Sequence, residues 1–417
     1  MSHASRMIAC HLCDTVHVRL DPGARGRAEC RCCGTVLYRR GWLSLRQWVA
    51  LGWATLIVFA IAQWFPLARM SIQGMDLSVT YWQALRLSWD RGFYGVSVMT
   101  GLAGFWFPLL QISLTLWAMQ SIAARRLSPD LARVLRILGK LAPWSMATVL
   151  ILAILVSVVK IAGLARLQVE PGMLGFLALC FLMTGMGRWN AHALWREAED
   201  AGLVPVSGAQ GQGSVCDDCG CVQPPQASGR CLRCGAGMAY ARHGSPAEVW
   251  ALVLAAVIFY IPANALPIME LRTVLGSSNH TILGGVIELW RYGSWDLAVI
   301  VFVASVMVPV TKLLALAFLL IRNRPRGVQV QRQRTRLYAM VEFIGQWSML
   351  DVFVVVLMAG MANFPGLSQI SAGPAALNFG AVVVLTMAAA MRYDPRRGWD
   401  ALRRAQPQKD YKENNDS

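Results

Sequence analysis

Long stretches of apolar residues without a single charged side chain set the pattern of this chain. Residues 47–68 and 249–269 carry no charge, residues 92–124 are uncharged over 33 positions, and residues 352–391 over 40. A helix needs about 20 such residues to cross a hydrocarbon core roughly 30 Å thick. The longest stretch exceeds one helix, and its Pro365-Gly366 and Gly373-Pro374 pairs indicate a turn between two. The pattern therefore predicts an α-helical polytopic membrane protein.

Composition and charge support the same class. Hydrophobic residues make up 56% of the chain and charged residues 15%, against about 25% charged in soluble domains. The net charge of +16 first suggests a nucleic-acid partner, but the cations gather in alternate connections, at residues 125–140, 322–336 and 392–404. This alternation is the positive-inside pattern. It argues against nucleic acid and predicts eight spans in a bacterial inner membrane, with both termini cytoplasmic.

The chain also repeats itself. A shift of 201 positions places Cys30 on Cys231 and Pro66 on Pro267, and such coincidences in both polar and apolar parts indicate a duplication. Each of two tandem repeats reads as a small four-cysteine zinc ribbon followed by four transmembrane helices, and both share one orientation. The predicted spans cover residues 46–68, 93–120, 141–163 and 171–188 in the first repeat, and residues 248–269, 294–321, 340–362 and 374–391 in the second.

These patterns divide the chain into five parts. In order, they are a first zinc ribbon at residues 1–45, a first four-helix transmembrane domain at 46–190, a linker with a second zinc ribbon at 191–246, a second four-helix transmembrane domain at 247–392, and a tail at 393–417. We expect both ribbons and the tail to lie in the cytoplasm, and the tail to be disordered.

Two quartets of cysteines carry the strongest chemical signal. They occur as paired Cys-x-x-Cys turns, Cys10, Cys13, Cys30 and Cys33 in the first repeat and Cys216, Cys219, Cys231 and Cys234 in the second. Two residues between ligands let a tight turn aim both sulfurs at one ion, and the glycine after each second pair suits a positive φ. We predict two zinc ions in structural four-thiolate sites. Iron in a rubredoxin-like site is the alternative that the spacing leaves open.

Other residues near the quartets have less certain roles. Cys32, Cys221 and His11 lie inside the turns but off the ligand pattern, so each is either an accessory ligand or a spectator. Cys180 lies in a predicted span and is expected to be a packed apolar side chain. Disulfides are not expected on the reducing side of the membrane.

Ionisable residues inside a span are functional candidates, because placing them in lipid is costly. Lys312 lies in the second span of the second repeat, and Asp351 lies in the third. Ser305 shares a helix face with Lys312, Ser348 shares one with Asp351, and Thr386 in the last span can face the same space. We predict that these five residues form a transport polar centre, in which protonation of Asp351 changes the packing of the bundle.

The first repeat lacks this charged pair. Its matching positions are Gln111 and Thr148, both neutral, although Lys160 occurs late in its third span. We therefore predict that the second repeat carries the working centre and that the first mainly scaffolds it. The alternative is that Lys312 snorkels to the cytoplasmic boundary and merely pairs with Asp351.

Several of these motifs together resemble the paraquat-inducible protein A family over nearly the whole chain. They are the two cysteine ribbons, Pro-Ala-Asn-Ala-Leu-Pro-Ile-Met at 262–269, Ser305…Pro309-Val-Thr-Lys312, and Gly345-Gln-Trp-Ser-Met-Leu-Asp351-Val-Phe. The resemblance implies an inner-membrane partner of a periplasm-spanning MCE-domain tunnel protein, which moves membrane lipids and supports envelope integrity. It also implies zinc on the eight cysteines. Cys32 and the neutral Thr148 depart from the family pattern.

Two other classes of function remain open on the sequence. One is a redox membrane protein that uses the cysteine–metal centres, and the other is a membrane scaffold without transport activity. No phosphate-binding loop or nucleophile motif occurs, so the chain is not expected to be an enzyme.

Overall fold

The computed structural model describes residues 6–19, 26–39, 43–72, 75–145, 147–162, 166–208, 213–224, 229–238, 245–273, 276–291, 293, 295–321, 327–345, 350–361 and 368–405. We call residues 6–39 the first knuckle and residues 213–238 the second knuckle. The first half comprises α1 (Leu45–Trp64), α2 (Tyr81–Asp90), α3 (Tyr94–Gly101), α4 (Phe107–Ala123), α5 (Leu131–Leu141), α6 (Ala147–Ala162), α7 (Pro171–Met186) and α8 (Ala191–Asp200). The second half comprises α9 (Pro246–Ala265), α10 (Ile282–Arg291), α11 (Trp295–Phe302), α12 (Val308–Ile321), α13 (Val328–Gly345), α14 (Leu350–Met361), α15 (Pro374–Arg392) and α16 (Arg396–Ala405).

Six helical segments of the described chain are long and apolar enough to cross a membrane, so this is a multi-pass membrane protein. They are Leu45–Trp64, Tyr94–Ala123, Leu131–Ser157, Pro246–Ala265, Ala298–Ile321 and Pro374–Arg404. A seventh candidate is α7 taken together with α8, a pair that bends by 55°. The predicted span at 340–362 crosses residues 346–349, which lie outside the described residues. The number eight therefore stays a prediction.

The second predicted span of each half contains a turn of π-helix, at Leu102–Trp106 and at Val303–Met307. Each turn ends beside a proline, Pro108 or Pro309, at the second position of the helix that follows. Proline has no N–H to bond the carbonyl one turn earlier, so the regular ladder is interrupted there. The N–H of Val308 bonds the carbonyl of Val303 instead. Such π turns are often found at functional positions.

A small antiparallel sheet closes each half at the end where the first predicted span finishes. In the first half its strands are β5 (Ala68–Ile72), β6 (Met75–Val79) and β7 (Arg166–Val169), and in the second half β10 (Met269–Thr273), β11 (Gly276–His280) and β12 (Ser368–Ala372). The spatial orders, β6-β5-β7 and β11-β10-β12, match, so each sheet pairs a hairpin with a strand about a hundred residues later. The sequence patterns indicated only loops here. The same order of helices and strands thus occurs in both halves.

In each half, glycine secures the contact between the end of the first predicted span and the start of the last one. Gly172 and Gly373 lie so close to the backbone carbonyls of Pro66 and Pro267 that a Cβ atom at either position would overlap the carbonyl oxygen. The amide of Gly172 donates to Pro66 O at 3.1 Å. A residue without Cβ is therefore required at this point of both halves.

The expectation of a disordered tail is wrong for residues 396–405. These residues form α16, which places Trp399 (3% exposed) and Leu402 (8%) in the core. The indole N–H of Trp399 donates to Thr335 Oγ1 on α13 at 3.0 Å. The other face of α16 is rich in arginine, so the segment as a whole is polar, and only one face of this short amphipathic helix is apolar.

The two halves pack against each other through the middle of the molecule. Helix α14 contacts α6, α2 and α3, while α15 packs along α9 and α1 along α7 within their own halves. Val352 and Phe353 on α14 are fully buried in this contact. The core therefore runs continuously from one half to the other.

Candidate functional site

The first knuckle consists of two hairpins that each present a Cys-x-x-Cys turn. Strands β1 (Met7–Ala9) and β2 (Val16–Val18) flank Cys10 and Cys13, and β3 (Arg27–Glu29) and β4 (Val36–Arg39) flank Cys30 and Cys33. The residue after each turn has positive φ, Asp14 at 54° and Gly34 at 79°. Their amides donate to the carbonyls of Cys10 and Cys30, both at 2.8 Å. Asp14 thus adopts the backbone conformation that glycine supplies elsewhere.

The second knuckle has the same arrangement of two Cys-x-x-Cys turns, but its strands are shorter. Strands β8 (Ser214–Val215) and β9 (Val222–Gln223) flank its first turn, and a single bridge between Arg230 and Gly237 flanks the second. Gly220 and Gly235 follow the two turns with φ of 67° and 68°. Their amides donate to the carbonyls of Cys216 and Cys231 at 2.8 and 2.9 Å.

Each knuckle brings its four cysteines together as a buried group. The four Sγ atoms lie within 4.8 Å of one another, and the closest pairs are 3.5 to 3.6 Å apart. Four sulfurs at the corners of a tetrahedron around an ion at about 2.3 Å would be about 3.8 Å apart, so the donor set fits a tetrahedral metal. Both groups can hold a metal ion, and all eight members are free thiols.

The thiols influence one another strongly, as expected for a site built for thiolates. In the first knuckle, hydrogen bonds, above all from Cys10, lower the pKa of Cys13 to about 3 and that of Cys30 to about 4. The pKa of Cys10 itself is raised, chiefly by its hydrogen bond with Cys13. In the second knuckle the hydrogen bond with Cys216 lowers the pKa of Cys231. A divalent ion takes the place of the shared protons in such a group.

The structure adds one residue that the sequence patterns missed. His17 Nε2 lies 3.2 Å from Cys30 Sγ, and this hydrogen bond raises the pKa of the imidazole. His17 follows Cys13 by four residues on β2, outside the ligand spacing, so only its strand position could have indicated the contact. Such partners of metal ligands orient the ligand and tune its affinity for the ion.

The cysteines outside the two quartets differ in how deeply they are buried. Cys221 is buried within the core around the second knuckle, with its thiol directed at the carbonyl of Val222. Cys32 is half-buried beside the first group, and its carbonyl accepts hydrogen bonds from Arg332 at 2.8 and 2.9 Å. Cys180 is half-buried on α7. Their roles stay open, as does the role of His11, which lines the cavity between the knuckles.

Each knuckle packs against the half of the chain that does not follow it in sequence, an arrangement that we call exchanged packing. The first knuckle packs against the second half, where its cysteines share a core with Leu319, Tyr338 and Trp399. The second knuckle packs against the first half, in a core with Trp48, Leu135 and Leu194. Arg332 and Arg403 of the second half donate to backbone carbonyls of the first knuckle. Arg136 of the first half donates to Asp218 of the second knuckle at 2.8 Å. Each knuckle therefore braces the half that does not follow it in sequence.

The knuckles also meet each other below the membrane helices. Arg396 on α16 pairs with Asp14 of the first knuckle at 3.5 Å and with Asp217 of the second. The amide of Met7 donates to the carbonyl of Ser207, in the segment between α8 and the second knuckle, at 3.1 Å. A cavity of about 320 Å³ lies between them. All these contacts place both knuckles at the same end of the helical bundle.

Part of the predicted polar centre is assembled inside the second half. Lys312 on α12 is 1% exposed, and its Nζ donates to Thr386 Oγ1 on α15 at 2.9 Å. Thr386, also 1% exposed, donates in turn to the carbonyl of Val383 at 3.0 Å. Ser305 lies in the π turn, is 1% exposed and donates to the carbonyl of Val301 at 2.7 Å. The Lys312 ammonium is thus held in the bundle rather than at a helix end.

The remaining members are not placed at side-chain level. Ser348 lies outside the described residues, and for Asp351 the structure describes the backbone, which forms the second position of α14. The contact between Lys312 and Asp351 therefore stays a prediction. In the first half the same holds for Thr148 and Lys160, whose positions on α6 are described by backbone alone.

A cavity of about 480 Å³ adjoins Lys312 between the two halves. Gln111, Ser145 and Asn190 line it from the first half, and Lys312 and Glu342 line it from the second. Gln111 is the residue that corresponds to Lys312 in the repeat. The polar centre is therefore bordered by both halves of the chain.

Comparisons of the whole chain with known proteins all indicate one family. A family model described as "PqiA: Paraquat-inducible protein A" matches residues 45–199 and again residues 247–403. The chain is 31% identical over 422 residues to "Intermembrane transport protein PqiA" of Escherichia coli (strain K12), with 99% of both chains covered. It is 31% identical over 400 residues to "Lipophilic envelope-spanning tunnel protein A" of the same strain, with 94% of this chain and 91% of that protein covered.

A more distant relative has a similar name. The "Probable intermembrane transport protein" of Haemophilus influenzae (strain ATCC 51907 / DSM 11121 / KW20 / Rd) is 25% identical over 405 residues, with 94% of this chain and 96% of that protein covered. No solved structure matches the chain. The names of these relatives describe transport components rather than enzymes.

Proposed function

Because this chain belongs to the paraquat-inducible protein A family, we propose that it is the inner-membrane component of a lipid transport system that supports envelope integrity. Its partner in this proposal is a periplasm-spanning MCE-domain tunnel protein. The names of two relatives, one an intermembrane transport protein and the other an envelope-spanning tunnel protein, support a role in moving material between membranes.

The proposed architecture is two tandem repeats with eight spans. In its support, one family model matches the chain twice, and the same order of helices and sheet strands occurs in both halves. Both knuckles lie at the end of the bundle where arginines of α13 and α16 contact them. By the positive-inside rule this end is cytoplasmic, with both termini on the same side, and the small sheets face the periplasm.

We assign two zinc ions to the two cysteine groups. The eight thiols would hold them, and the ions would fix each knuckle against the half that it braces. Zinc has no redox chemistry and suits closed, buried four-thiolate sites. Iron is the competing assignment, because it takes the same ligands.

Transport is proton-coupled in this proposal, and the observation that carries it is the burial of Lys312. An amine with 1% exposure, bonded to a threonine hydroxyl beside an intramembrane cavity, is costly to stability and is explained by function rather than by packing. Ser305, Ser348, Asp351 and Thr386 complete the centre. Uptake of a proton by this group would change which packing of the bundle is favoured.

The experiment that tests this function is complementation of a strain that lacks the chain. Cells carrying Lys312→Ala or Asp351→Asn are expected to lose survival under detergent challenge, whereas Lys140→Ala, at an exposed site of α5, is expected to behave as wild type. Survival of the Lys312 and Asp351 variants at the wild-type level would instead support a scaffold without transport.

A second measurement separates transport from electron transfer. Purified protein is expected to contain two zinc ions per chain and to be colourless, and to retain the MCE-domain protein and lipid on affinity purification from native membranes. A coloured preparation with stoichiometric iron would favour the redox alternative, since a ferric four-thiolate site absorbs visible light.

A further inference from the structure

Both halves of the chain contribute polar side chains to the wall of the cavity beside Lys312. The first half provides the neutral side chains of Gln111, Ser145 and Asn190, and the second half provides Lys312 and Glu342. Among the lining side chains that the structure describes, these last two are the charged ones. The described wall is therefore polar, inside an apolar bundle, and carries a cation and a carboxylate.

Two polar atoms on the first-half wall indicate what fills this space. Gln111 Oε1 and Ser145 Oγ are buried and have no hydrogen-bond partner among the described residues. Buried polar atoms are almost always satisfied, by protein or by water. A polar cavity of about 480 Å³ has ample room for several waters, each of which occupies about 30 Å³ in the liquid. Water hydrogen-bonded to these atoms is the simplest way to satisfy them.

Glu342 lies one helical turn from the point where Lys312 touches α13. A Cβ atom on Gly345 would lie 3.4 Å from Lys312 Nζ, so the ammonium rests against the backbone at this glycine. Glu342 precedes Gly345 by three residues, which puts the two on the same helix face about 4.5 Å apart along the axis. No ion pair or hydrogen bond of the described residues holds the Glu342 carboxylate in place.

The cavity extends from Lys312 toward the knuckles. Asn190, which also lines it, caps the start of α8, the helix that packs with the second knuckle. Glu342 lies on the knuckle side of Gly345, because α13 begins beside the first knuckle, where Arg332 bonds Cys32. Lys312 from α12 lines the same cavity as Glu342, and Tyr338 on α13 lies near the Glu342 carboxylate, while the described residues of the first half contribute the neutral side chains named above.

We infer that this cavity is a water-filled inlet from the knuckle side of the membrane, and that Glu342 passes protons between its water and Lys312. The inference rests on the proposed proton-coupled function. In the transfer step the Lys312 ammonium gives its proton to the carboxylate of Glu342, which leaves a neutral amine and a carboxylic acid. The acid then releases that proton to water of the inlet as hydronium and returns to a carboxylate, and the same two steps in reverse reload the lysine. The first half thus contributes a wall of the proton path and not only support.

Complementation tests the role of Glu342. Glu342→Gln is expected to lose survival under detergent challenge as Lys312→Ala does, because the amide cannot carry the proton, and Glu342→Asp is expected to restore much of it. Glu248→Gln, which alters an exposed carboxylate paired with Arg392, serves as the matched control. Wild-type survival of Glu342→Gln while Lys312→Ala fails would overturn this inference and leave the proposed function intact.

Carbodiimide labelling tests the same idea on the unaltered residue. The reagent modifies protonated carboxyl groups, so mass spectrometry of the full chain in phosphatidylethanolamine–phosphatidylglycerol vesicles should find Glu342 labelled at low pH and spared at high pH. In Lys312→Met the pH of half-maximal labelling is expected to rise by about one unit, because a nearby cation favours the ionised carboxylate. Absence of labelling, or an unchanged midpoint in Lys312→Met, would show that Glu342 does not communicate with the lysine.

Discussion

Replacing Lys312 by methionine should make the protein more stable and inactive at the same time. The side chains have similar length, and the site is 1% exposed, so methionine can occupy the same space. The substitution removes one hydrogen bond, from Nζ to Thr386 Oγ1 at 2.9 Å, which contributes about 1.5–3 kcal/mol when the donor is charged. Thr386 keeps its bond to the carbonyl of Val383, so no donor is left unpaired.

The stabilisation gained by removing a buried charge is larger than the loss of this hydrogen bond. Burying an ammonium group carries a desolvation penalty of several kcal/mol, and replacing buried ionic groups by apolar ones of similar volume is often stabilising by about 1–4 kcal/mol. We therefore expect Lys312→Met to raise the free energy of unfolding by about 1–3 kcal/mol. Thermal unfolding of the purified protein in mild detergent measures the sign, and the complementation assay measures the loss of function. Lys140→Met, at an exposed site of α5, should change stability by less than about 0.5 kcal/mol.

The same measurement decides whether Lys312 and Asp351 form a buried pair. If they do, removal of the lysine leaves a carboxylate without its counter-ion, and the protein loses about 3–5 kcal/mol instead. Addition of Asp351→Asn would then recover most of the loss. Destabilisation that the second substitution does not repair, together with normal survival, would refute the reasoning and make Lys312 a structural residue.

Four further predictions concern the knuckles and the sheets. Cys30→Ser should reduce the metal content from two ions to one per chain in elemental analysis, because one donor of a four-thiolate site is lost, whereas Cys32→Ser should leave it unchanged. His17→Ala should weaken metal binding by about tenfold to a hundredfold in chelator competition, because the hydrogen bond to Cys30 orients that ligand. Trp399→Ala should cost about 3–5 kcal/mol and speed chelator removal of the ion in the first knuckle, since the indole fixes α16 between that knuckle and α13. Gly373→Ala should lower the melting temperature of the purified protein strongly, because its Cβ would overlap a backbone carbonyl.

Controls within the chain sharpen these tests. His11→Ala, in the same knuckle but without a hydrogen bond to a ligand sulfur among the described contacts, should leave chelator competition unchanged. Gly285→Ala, on α10 with open space around the glycine, should be neutral or slightly stabilising. Equal effects of Gly285→Ala and Gly373→Ala would contradict the steric argument. If a chelator removed the metal ions from both knuckles of Trp399→Ala at equal rates, the result would contradict the exchanged packing.

The sequence by itself determined the features that depend on local patterns. Uncharged stretches of about 20 residues define membrane helices because lipid admits no unpaired backbone or charge. The Cys-x-x-Cys spacing defined both metal groups because the geometry of four thiolates is set within two short turns. The sequence also predicted that Lys312 and Thr386 face the same space, since a charge inside an apolar helix needs polar neighbours. The structure places these two in direct contact.

Only the tertiary structure decided how distant segments meet. Nothing in the spacing of Cys10 or Cys30 indicates that the first knuckle packs on the second half, because that choice depends on which apolar surface is left uncovered at the end of the bundle. The sequence patterns did not predict the short sheets, because β7 and β12 pair with strands about a hundred residues earlier. The sequence patterns did not connect Glu342, near the start of a predicted span, with Lys312, and only the packing of α13 against α12 places both on the wall of one cavity. Such arrangements arise from contacts between elements, which a pattern along a single chain does not contain.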